Sequence, residues 1–88
     1  MKDLVAVPVF NEEPYLLRVL DSIRSHYAGD LLIINDGSTD RSGELIESVS
    51  RKHRLLRLSR PVNAGYGKSI ADAFAFALAD GYDRLVTI

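Results

Sequence analysis

Apolar and polar residues follow one another along the chain in blocks that predict strands and helices in alternation. Short apolar runs predict four buried strands, and apolar residues spaced three or four apart predict three helices between them. The predicted strands are Leu4–Val7, Leu31–Ile34, Leu55–Leu58 and Arg84–Ile88. Strands that alternate with helices imply parallel pairing and right-handed crossovers. The sequence therefore predicts an α/β domain of order βαβαβαβ, a Rossmann-like parallel sheet in three layers.

Turn and cap residues mark where these elements begin and end. Pro8 has no N–H for a sheet ladder, so we expect it to end or border the first strand. Asn11 is expected to cap the first helix and Asp40 the second. Gly81 is expected to end the third helix, predicted over 68–80. The inward stripe predicted for that helix consists of Ile70, Ala73, Phe74, Ala77 and Leu78.

Composition restricts the class of protein. The chain has 88 residues, 47% of them hydrophobic, and a net charge of −1, which suits one small globular domain and excludes a disordered tail. The near-zero net charge argues against a general nucleic-acid binder, which would need an excess of basic residues to neutralise phosphates. Cysteine is absent, so disulfides and thiolate metal sites are excluded. No apolar stretch approaches the length of a membrane span.

Three polar loops follow the predicted strands at one edge of the sheet. They carry Asn11-Glu12, Asn35-Asp36-Gly37-Ser38, and Arg60 with Asn63-Ala64-Gly65-Tyr66-Gly67-Lys68. Ligands of open α/β sheets bind outside the carboxyl ends of the strands. Carboxylates there accept hydrogen bonds from ribose and base, whereas basic residues and free backbone N–H groups suit a diphosphate. The combination favours a nucleotide site.

Each feature also has a purely structural interpretation. Asp36-Gly37 is a common turn, and Glu12 favours the positive end of a helix. His26 and His53 lack partners at metal spacing and are expected at the surface. Two phosphate motifs fail, because Val62 stands where a P-loop needs glycine and Ile70 where the dinucleotide fingerprint does. The convergence of three such loops supports a functional interpretation more strongly than any one of them does alone.

Three segments together resemble the family 2 glycosyltransferases of the GT-A fold. They are Val7-Pro8-Val9-Phe10-Asn11-Glu12-Glu13, Ile34-Asn35-Asp36-Gly37-Ser38-Thr39-Asp40 and Asn63-Ala64-Gly65-Tyr66-Gly67-Lys68. Within that family the chain is most similar to the branch of dolichyl-phosphate mannose synthase and the bacterial polyprenyl-phosphate sugar transferases. The resemblance implies that residues 1–88 are the nucleotide-binding front half of a GT-A domain, cut before the family's Asp-x-Asp motif.

The resemblance also implies a nucleotide-sugar site. Pro8 and Glu12 would contact the nucleoside, and Asp36 the base or ribose, whereas Asn35 departs from the family's acidic pair. Gly65 and Lys68 would line the nucleotide cleft, with Arg60 a weaker candidate. The Asp-x-Asp motif would begin after Ile88, so neither a catalytic residue nor a metal ligand is expected in this chain. Divalent metal, Mg²⁺ or Mn²⁺, is expected in the full-length enzyme.

The activity implied is transfer of a sugar from a UDP- or GDP-linked donor to an acceptor such as a polyprenyl phosphate. The chain alone is expected to be inactive, and the parent enzyme to be cytoplasmic or at the cytoplasmic face of the membrane. The alternative is a nucleotide-binding or self-associating module without catalysis, because an open fourth strand and uncovered helix faces favour homo-oligomers. A flavodoxin-like signalling domain is less favoured, since Val9-Phe10 and Ser59-Arg60 replace its acidic residues.

Overall fold

A four-stranded parallel sheet with three helices accounts for residues 1–88, all of which the computed structural model describes. The strands are β1 (Asp3–Val9), β2 (Asp30–Asp36), β3 (Leu55–Arg60) and β4 (Arg84–Thr87). The helices are α1 (Leu16–His26), α2 (Ser42–Val49) and α3 (Tyr66–Ala79). The predicted fold class and element order are confirmed. None of the helices combines the length and apolar character that crossing a membrane requires.

Strand order places the candidate loops side by side. The sheet has the order β3-β2-β1-β4, and every neighbouring pair is parallel. Val9 lies opposite Asn35, and Asp36 lies opposite Arg60, so β1, β2 and β3 end at nearly the same level. The chain moves outward from β1 through β2 to β3 and then returns to the other side of β1. That reversal makes the carboxyl end of β1 a switch point, the usual ligand position in such sheets.

Two apolar layers cover the sheet because successive strand residues point to opposite faces. On one face α1 and α2 pack on β1 and β2, in a cluster centred on Leu16, Leu20, Ile33 and Ile46. On the other face α3 packs on the alternate residues of the same strands, in a cluster of Leu4, Ala6, Leu32, Ile34, Ala73 and Ala77. The loops after β1 and β2 lead to one layer, whereas the loop after β3 leads to the other.

The expectation that Pro8 ends or borders the first strand is wrong, because β1 continues to Val9 and lies inside the sheet. The N–H of Ile88 donates to the carbonyl of Ala6, so the backbone groups of Ala6 face β4. Residues two apart in a strand direct these groups to the same side. Pro8 therefore directs its missing donor to the side of β4, beyond Thr87, the last residue of that strand.

The predicted inward stripe of α3 is partly wrong. Ala73 and Ala77 are buried as expected, but Phe74 is 58% exposed and Leu78 68% exposed. Ser69 is fully buried instead, so the fully covered line of α3 consists of small residues at intervals of four, with Phe76 partly buried beside it. Small side chains let the helix backbone approach the strands closely, and the bulky residues lie further round the helix.

Neither of the expected helix caps has the predicted form. Asn11 has a left-handed backbone, with φ +52°, and α1 begins only at Leu16. Asp40 stands one residue before the N-cap position of α2, although its Oδ1 accepts the N–H of Ser42 at 2.9 Å.

The expectation that His53 lies at the surface is also wrong. Its ring is buried beneath α1, with Nε2 2.7 Å from Asp21 Oδ1.

Candidate functional site

A cleft of about 310 Å³ lies at the carboxyl ends of β1 and β2, beside the beginning of α3. Four of the six predicted site residues lie along it, namely Pro8, Glu12, Asp36 and Gly65, whereas Asn35 and Lys68 do not. The rest of the lining is Val9, Phe10, Asn63, Tyr66 and Ser69. Asn63 and Tyr66 belong to a loop that the sequence already placed at this edge, whereas Ser69 was not indicated. The spacing of Ser69 with Ala73 and Ala77 is the signal that would have found it.

The carboxylate of Asp36 is hydrogen-bonded to other residues of the chain. It is 3% exposed and accepts four hydrogen bonds. Oδ1 accepts from Arg60 Nε at 2.7 Å and from the N–H of Ala64 at 2.9 Å. Oδ2 accepts from Asn63 Nδ2 at 3.0 Å and from the N–H of Gly65 at 2.9 Å. A carboxylate has about four acceptor positions, so Asp36 is fully occupied while it forms one wall of the cleft.

Arg60 connects three elements at the back of the cleft. It is the last residue of β3, not part of the following loop as the sequence suggested. Besides Asp36, its guanidinium donates to Asp72 Oδ2 at 2.5 Å and to Ser69 Oγ at 2.9 Å, both on α3. Arginine presents several donors in a fixed plane, which suits such a junction. The buried charge of Asp36 is therefore neutralised and the start of α3 is fixed to β2 and β3.

Gly37 allows the loop after β3 to pass close to the end of β2. Its φ is +67°, and a Cβ there would lie 2.3 Å from the backbone N of Asn63 and 2.5 Å from the carbonyl carbon of Val62. Only glycine combines that backbone conformation with that approach. The Asp-Gly pair thus brings the Asn63 loop against Asp36.

Glu12 is the acidic group of the cleft that remains free. Its backbone N–H donates to Ser42 Oγ at 3.0 Å, but its exposed carboxylate has no hydrogen bond or ion pair with another residue of the chain. A free carboxylate at a cleft can accept hydrogen bonds from ribose hydroxyls or base N–H groups. Of the two carboxylates of the cleft, Glu12 is therefore the one whose oxygens are free, whereas those of Asp36 are occupied.

The beginning of α3 contributes backbone donors to the same cleft. Gly65, at the N-cap position with φ +97°, donates its own N–H to Asp36, so the free backbone donors begin with the next residue, Tyr66. The first N–H groups of a helix have no partner within it and carry partial positive charge. This end of the cleft therefore suits an anionic group.

The two predicted residues outside the cleft have local partners. Lys68 is 57% exposed in its side chain, and its Nζ lies 3.0 Å from Asp72 Oδ1. The hydrogen bond from Lys68, with the charges of Lys68 and Arg60, holds the pKa of Asp72 below its ordinary value against partial burial. Asn35 Oδ1 accepts the N–H of Ser38 at 3.2 Å, which closes the turn after β2.

The residues present do not fit a divalent metal ion. No group of three or more histidine, aspartate or glutamate side chains lies close enough to hold one. Mg²⁺ and Ca²⁺ take several oxygen ligands. Within the cleft Asp36 has no free acceptor position, which leaves Glu12 alone. No chemical step is therefore assigned to a metal held by residues 1–88.

Comparison with known proteins places these features in a family. The family model for glycosyl transferase family 2 matches residues 4–87. The probable glycosyltransferase YdaM of Bacillus subtilis (strain 168) is 33% identical over 91 residues, covering 92% of this chain and 22% of that protein. Undecaprenyl-phosphate 4-deoxy-4-formamido-L-arabinose transferase of Pseudomonas aeruginosa is 30% identical over 89 residues, covering 96% of this chain and 26% of that protein.

Solved structures share the fold. S. aureus TarS in complex with UDP-GlcNAc superposes with a TM-score of 0.76 at 23% identity, over 100% of this chain and 26% of the TarS chain. The chain thus spans about a quarter of the length of these relatives. The family model, the sequence relatives and the strand-end cleft agree with the resemblance of the three loop segments, and the chain belongs to glycosyl transferase family 2.

Proposed function

We propose that residues 1–88 are the nucleotide-binding front half of a glycosyltransferase domain. The whole protein would transfer a sugar from a nucleotide diphosphate sugar to an acceptor. The observation that carries the proposal is the cleft in which the free carboxylate of Glu12 and the uncapped start of α3 both lie. A nucleotide diphosphate offers hydrogen-bond donors for the first and negative charge for the second.

Each predicted site residue has a proposed part in this cleft. Pro8 and Glu12 would contact the nucleoside, with Asp36 as the wall behind it. Gly65, which has open space where a Cβ would stand, would let the diphosphate approach the free N–H groups that follow it in α3. Lys68 would reach the diphosphate by leaving Asp72, a change that its exposed side chain allows. Asn35 would act through the turn that it closes with Ser38.

The donor and acceptor are proposed by analogy with the relatives. TarS has been solved with UDP and with UDP-GlcNAc, which supports UDP ahead of GDP as the nucleotide. The undecaprenyl-phosphate relative supports a polyprenyl phosphate acceptor, and with it a position at the cytoplasmic face of a membrane. Mg²⁺ or Mn²⁺ would be bound by residues outside 1–88, and the 88-residue chain alone would be inactive.

A binding module without catalysis is the second candidate. The observations in its favour are exposed apolar residues on both faces of the sheet, namely Phe74 and Leu78 on α3 and, on the opposite face, Val86 of the edge strand β4. Exposed apolar residues beside an open strand edge favour self-association. Sedimentation of the chain at several concentrations would distinguish a monomer from a homo-oligomer.

Titration with nucleotides tests the main proposal. UDP and GDP are added to the chain, with and without Mn²⁺, and binding is followed by NMR and calorimetry. We expect saturable binding of one nucleotide, little dependence on Mn²⁺, and weaker binding by Glu12→Gln. The matched control is Glu44→Gln, which removes an exposed carboxylate from α2, away from the cleft. A folded chain that binds neither nucleotide would contradict the proposal.

A further inference from the structure

The turn after β1 and the loop after β2 hold each other through reciprocal hydrogen bonds. Three consecutive backbone N–H groups of the turn donate to side chains of the 38–42 loop. These bonds are Asn11 N–H to Ser38 Oγ at 3.1 Å, Glu12 N–H to Ser42 Oγ at 3.0 Å and Glu13 N–H to Asp40 Oδ2 at 3.1 Å. The backbone on both sides of Glu12 is therefore fixed to a second loop.

The Asn11 side chain completes the arrangement from the other direction. Its Oδ1 accepts the N–H of Thr39 at 2.8 Å and that of Asp40 at 3.2 Å, and its Nδ2 lies 3.3 Å from Thr39 Oγ1. The backbone of Asn11 is left-handed, with φ +52°. Asparagine adopts that conformation more readily than most residues, and glycine adopts it freely but has no side chain to donate or accept.

The side chains of Asn11 and Glu12 differ in whether they have hydrogen-bond partners. The Asn11 amide is bonded to the 38–42 loop, and Asn11 is not part of the cleft lining. Glu12, the next residue, lies on the cleft with a carboxylate that bonds to no other residue. A fixed backbone that carries a free functional group loses less conformational freedom when a ligand binds.

We propose that Asn11 is a positioning residue for Glu12, and that Ser38, Thr39 and Asp40 serve the same purpose without contacting the ligand. The inference rests on the proposed nucleotide site, because Glu12 is the group that would meet the ligand. On this proposal, the Gly-Ser-Thr-Asp sequence after β2 supports Glu12, which lies 26 positions before Ser38.

A double-mutant cycle tests the proposal with UDP and GDP as probes. The variants are Asn11→Gly, which keeps the backbone conformation and removes the amide, Glu12→Gln, and the two combined. We expect Asn11→Gly to weaken the affinity of the bound nucleotide roughly two- to tenfold, the cost of ordering one side chain again. In the Glu12→Gln background the same substitution should change the affinity by much less. A merely structural role would produce equal losses in both backgrounds.

Arg54→Gly is the matched control, since Arg54 is the other non-glycine residue with positive φ, +54°, and lies away from the cleft. It should leave the affinity unchanged. Amide hydrogen exchange adds a readout that needs no ligand, because the N–H groups of Thr39 and Asp40 should exchange faster in Asn11→Gly. Unchanged exchange of the amides of β1 and β2 would verify that this variant remains folded elsewhere.

The outcomes separate this inference from the proposed function. Nucleotide binding that is weakened by Glu12→Gln, together with equal losses from Asn11→Gly in both backgrounds, would overturn only the positioning role. Unchanged affinity in Asn11→Gly would do the same. A folded wild-type chain that binds neither nucleotide would overturn both.

Discussion

Two carboxylates on the same cleft have opposite roles because their surroundings differ. Asp36 is the last residue of a buried strand, and four donors of the chain occupy its oxygens. Glu12 lies in a turn that is fixed through its backbone, and its side-chain oxygens have no partner in the chain. From residue type alone, Asp36 and Glu12 were given the same predicted role of nucleoside contact. They differ because Arg60 and the Asn63 loop occupy the oxygens of Asp36 only.

Removal of the Arg60 charge should destabilise the protein strongly. Arg60→Met leaves Asp36 buried without its charged partner, which we expect to lower the free energy of unfolding by about 3 kcal/mol or more. Arg57→Met is the control on the same strand, because Arg57 pairs with Glu47 at the surface. Exposed pairs contribute about 0–1 kcal/mol. Urea unfolding of both variants measures the difference, and equal losses would contradict the role given to Arg60.

Alanine substitution should destabilise the protein at Gly37, which is in close contact with the next loop, but not at Gly67, which has open space around it. Gly37→Ala places a methyl group against the backbone of Val62 and Asn63 at positive φ, which should cost about 1–3 kcal/mol. Gly67→Ala meets no atom within 4 Å inside α3 and should stabilise the helix by up to about 1 kcal/mol. Thermal and urea unfolding provide the measurement. A neutral Gly37→Ala would show that the Asn63 loop is free to move away.

At the scale of elements, the fully buried line of α3 consists of small residues, with the large Phe76 only partly buried beside it. The prediction from helical spacing chose a broad stripe that included Phe74 and Leu78, because large apolar residues are the usual mark of a buried face. The buried line consists of Ser69, Ala73 and Ala77. Arg60 and Asp72 fix the start of α3 through charge, and the small residues form a close, narrow contact with the sheet along the rest of the helix, beside Phe76.

Enlargement of that narrow contact should destabilise the protein. Ala73→Leu adds volume where the helix meets β1 and β2, and overpacking of this kind costs about 1–3 kcal/mol. Ala71→Leu, on the exposed side of α3, is the matched control and should change the free energy of unfolding by less than about 0.5 kcal/mol. The comparison by urea unfolding would contradict this packing if Ala73→Leu were as neutral as Ala71→Leu.

At the scale of the whole molecule, ionised carboxylates connect distant parts of the chain. A hydrogen bond from Arg84 holds the pKa of Asp3 below its ordinary value, as the Lys68 bond does for Asp72. Burial opposes the same shift at Asp40, but bonds from Ser42 and Glu13 outweigh it and its pKa is also lowered. Ion pairs and loop contacts across the sheet therefore depend on the charged forms.

Stability should fall in acid as a result. A lowered pKa in the folded state means that the unfolded chain binds protons first, so this stabilisation is complete above the ordinary aspartate value, about pH 4, and is lost below it. The midpoint of urea unfolding should decrease from pH 6 to pH 3. Asp72→Asn should be less stable at pH 6 and show a smaller decrease, and an identical decrease would contradict a contribution from Asp72.

The sequence by itself determined the architecture. Apolar runs and their spacing indicated four parallel strands with three helices, and turn residues placed three polar loops at one edge, because periodicity and turn chemistry are local properties. The same loops carried the family resemblance, which the family model confirms over residues 4–87. Of the predicted site residues, Pro8, Glu12, Asp36 and Gly65 lie on one cleft, although their contact with a nucleotide stays a prediction.

Only the tertiary structure decided what each polar group does. The left-handed turn at Asn11, the occupied oxygens of Asp36 and the burial of Ser69 all depend on residues 9 to 29 positions away. Contacts over such separations leave no periodic trace in a sequence. Strand order brings them together, because the parallel register sets the ends of β1, β2 and β3 side by side and lets each loop complete the hydrogen bonding of its neighbour.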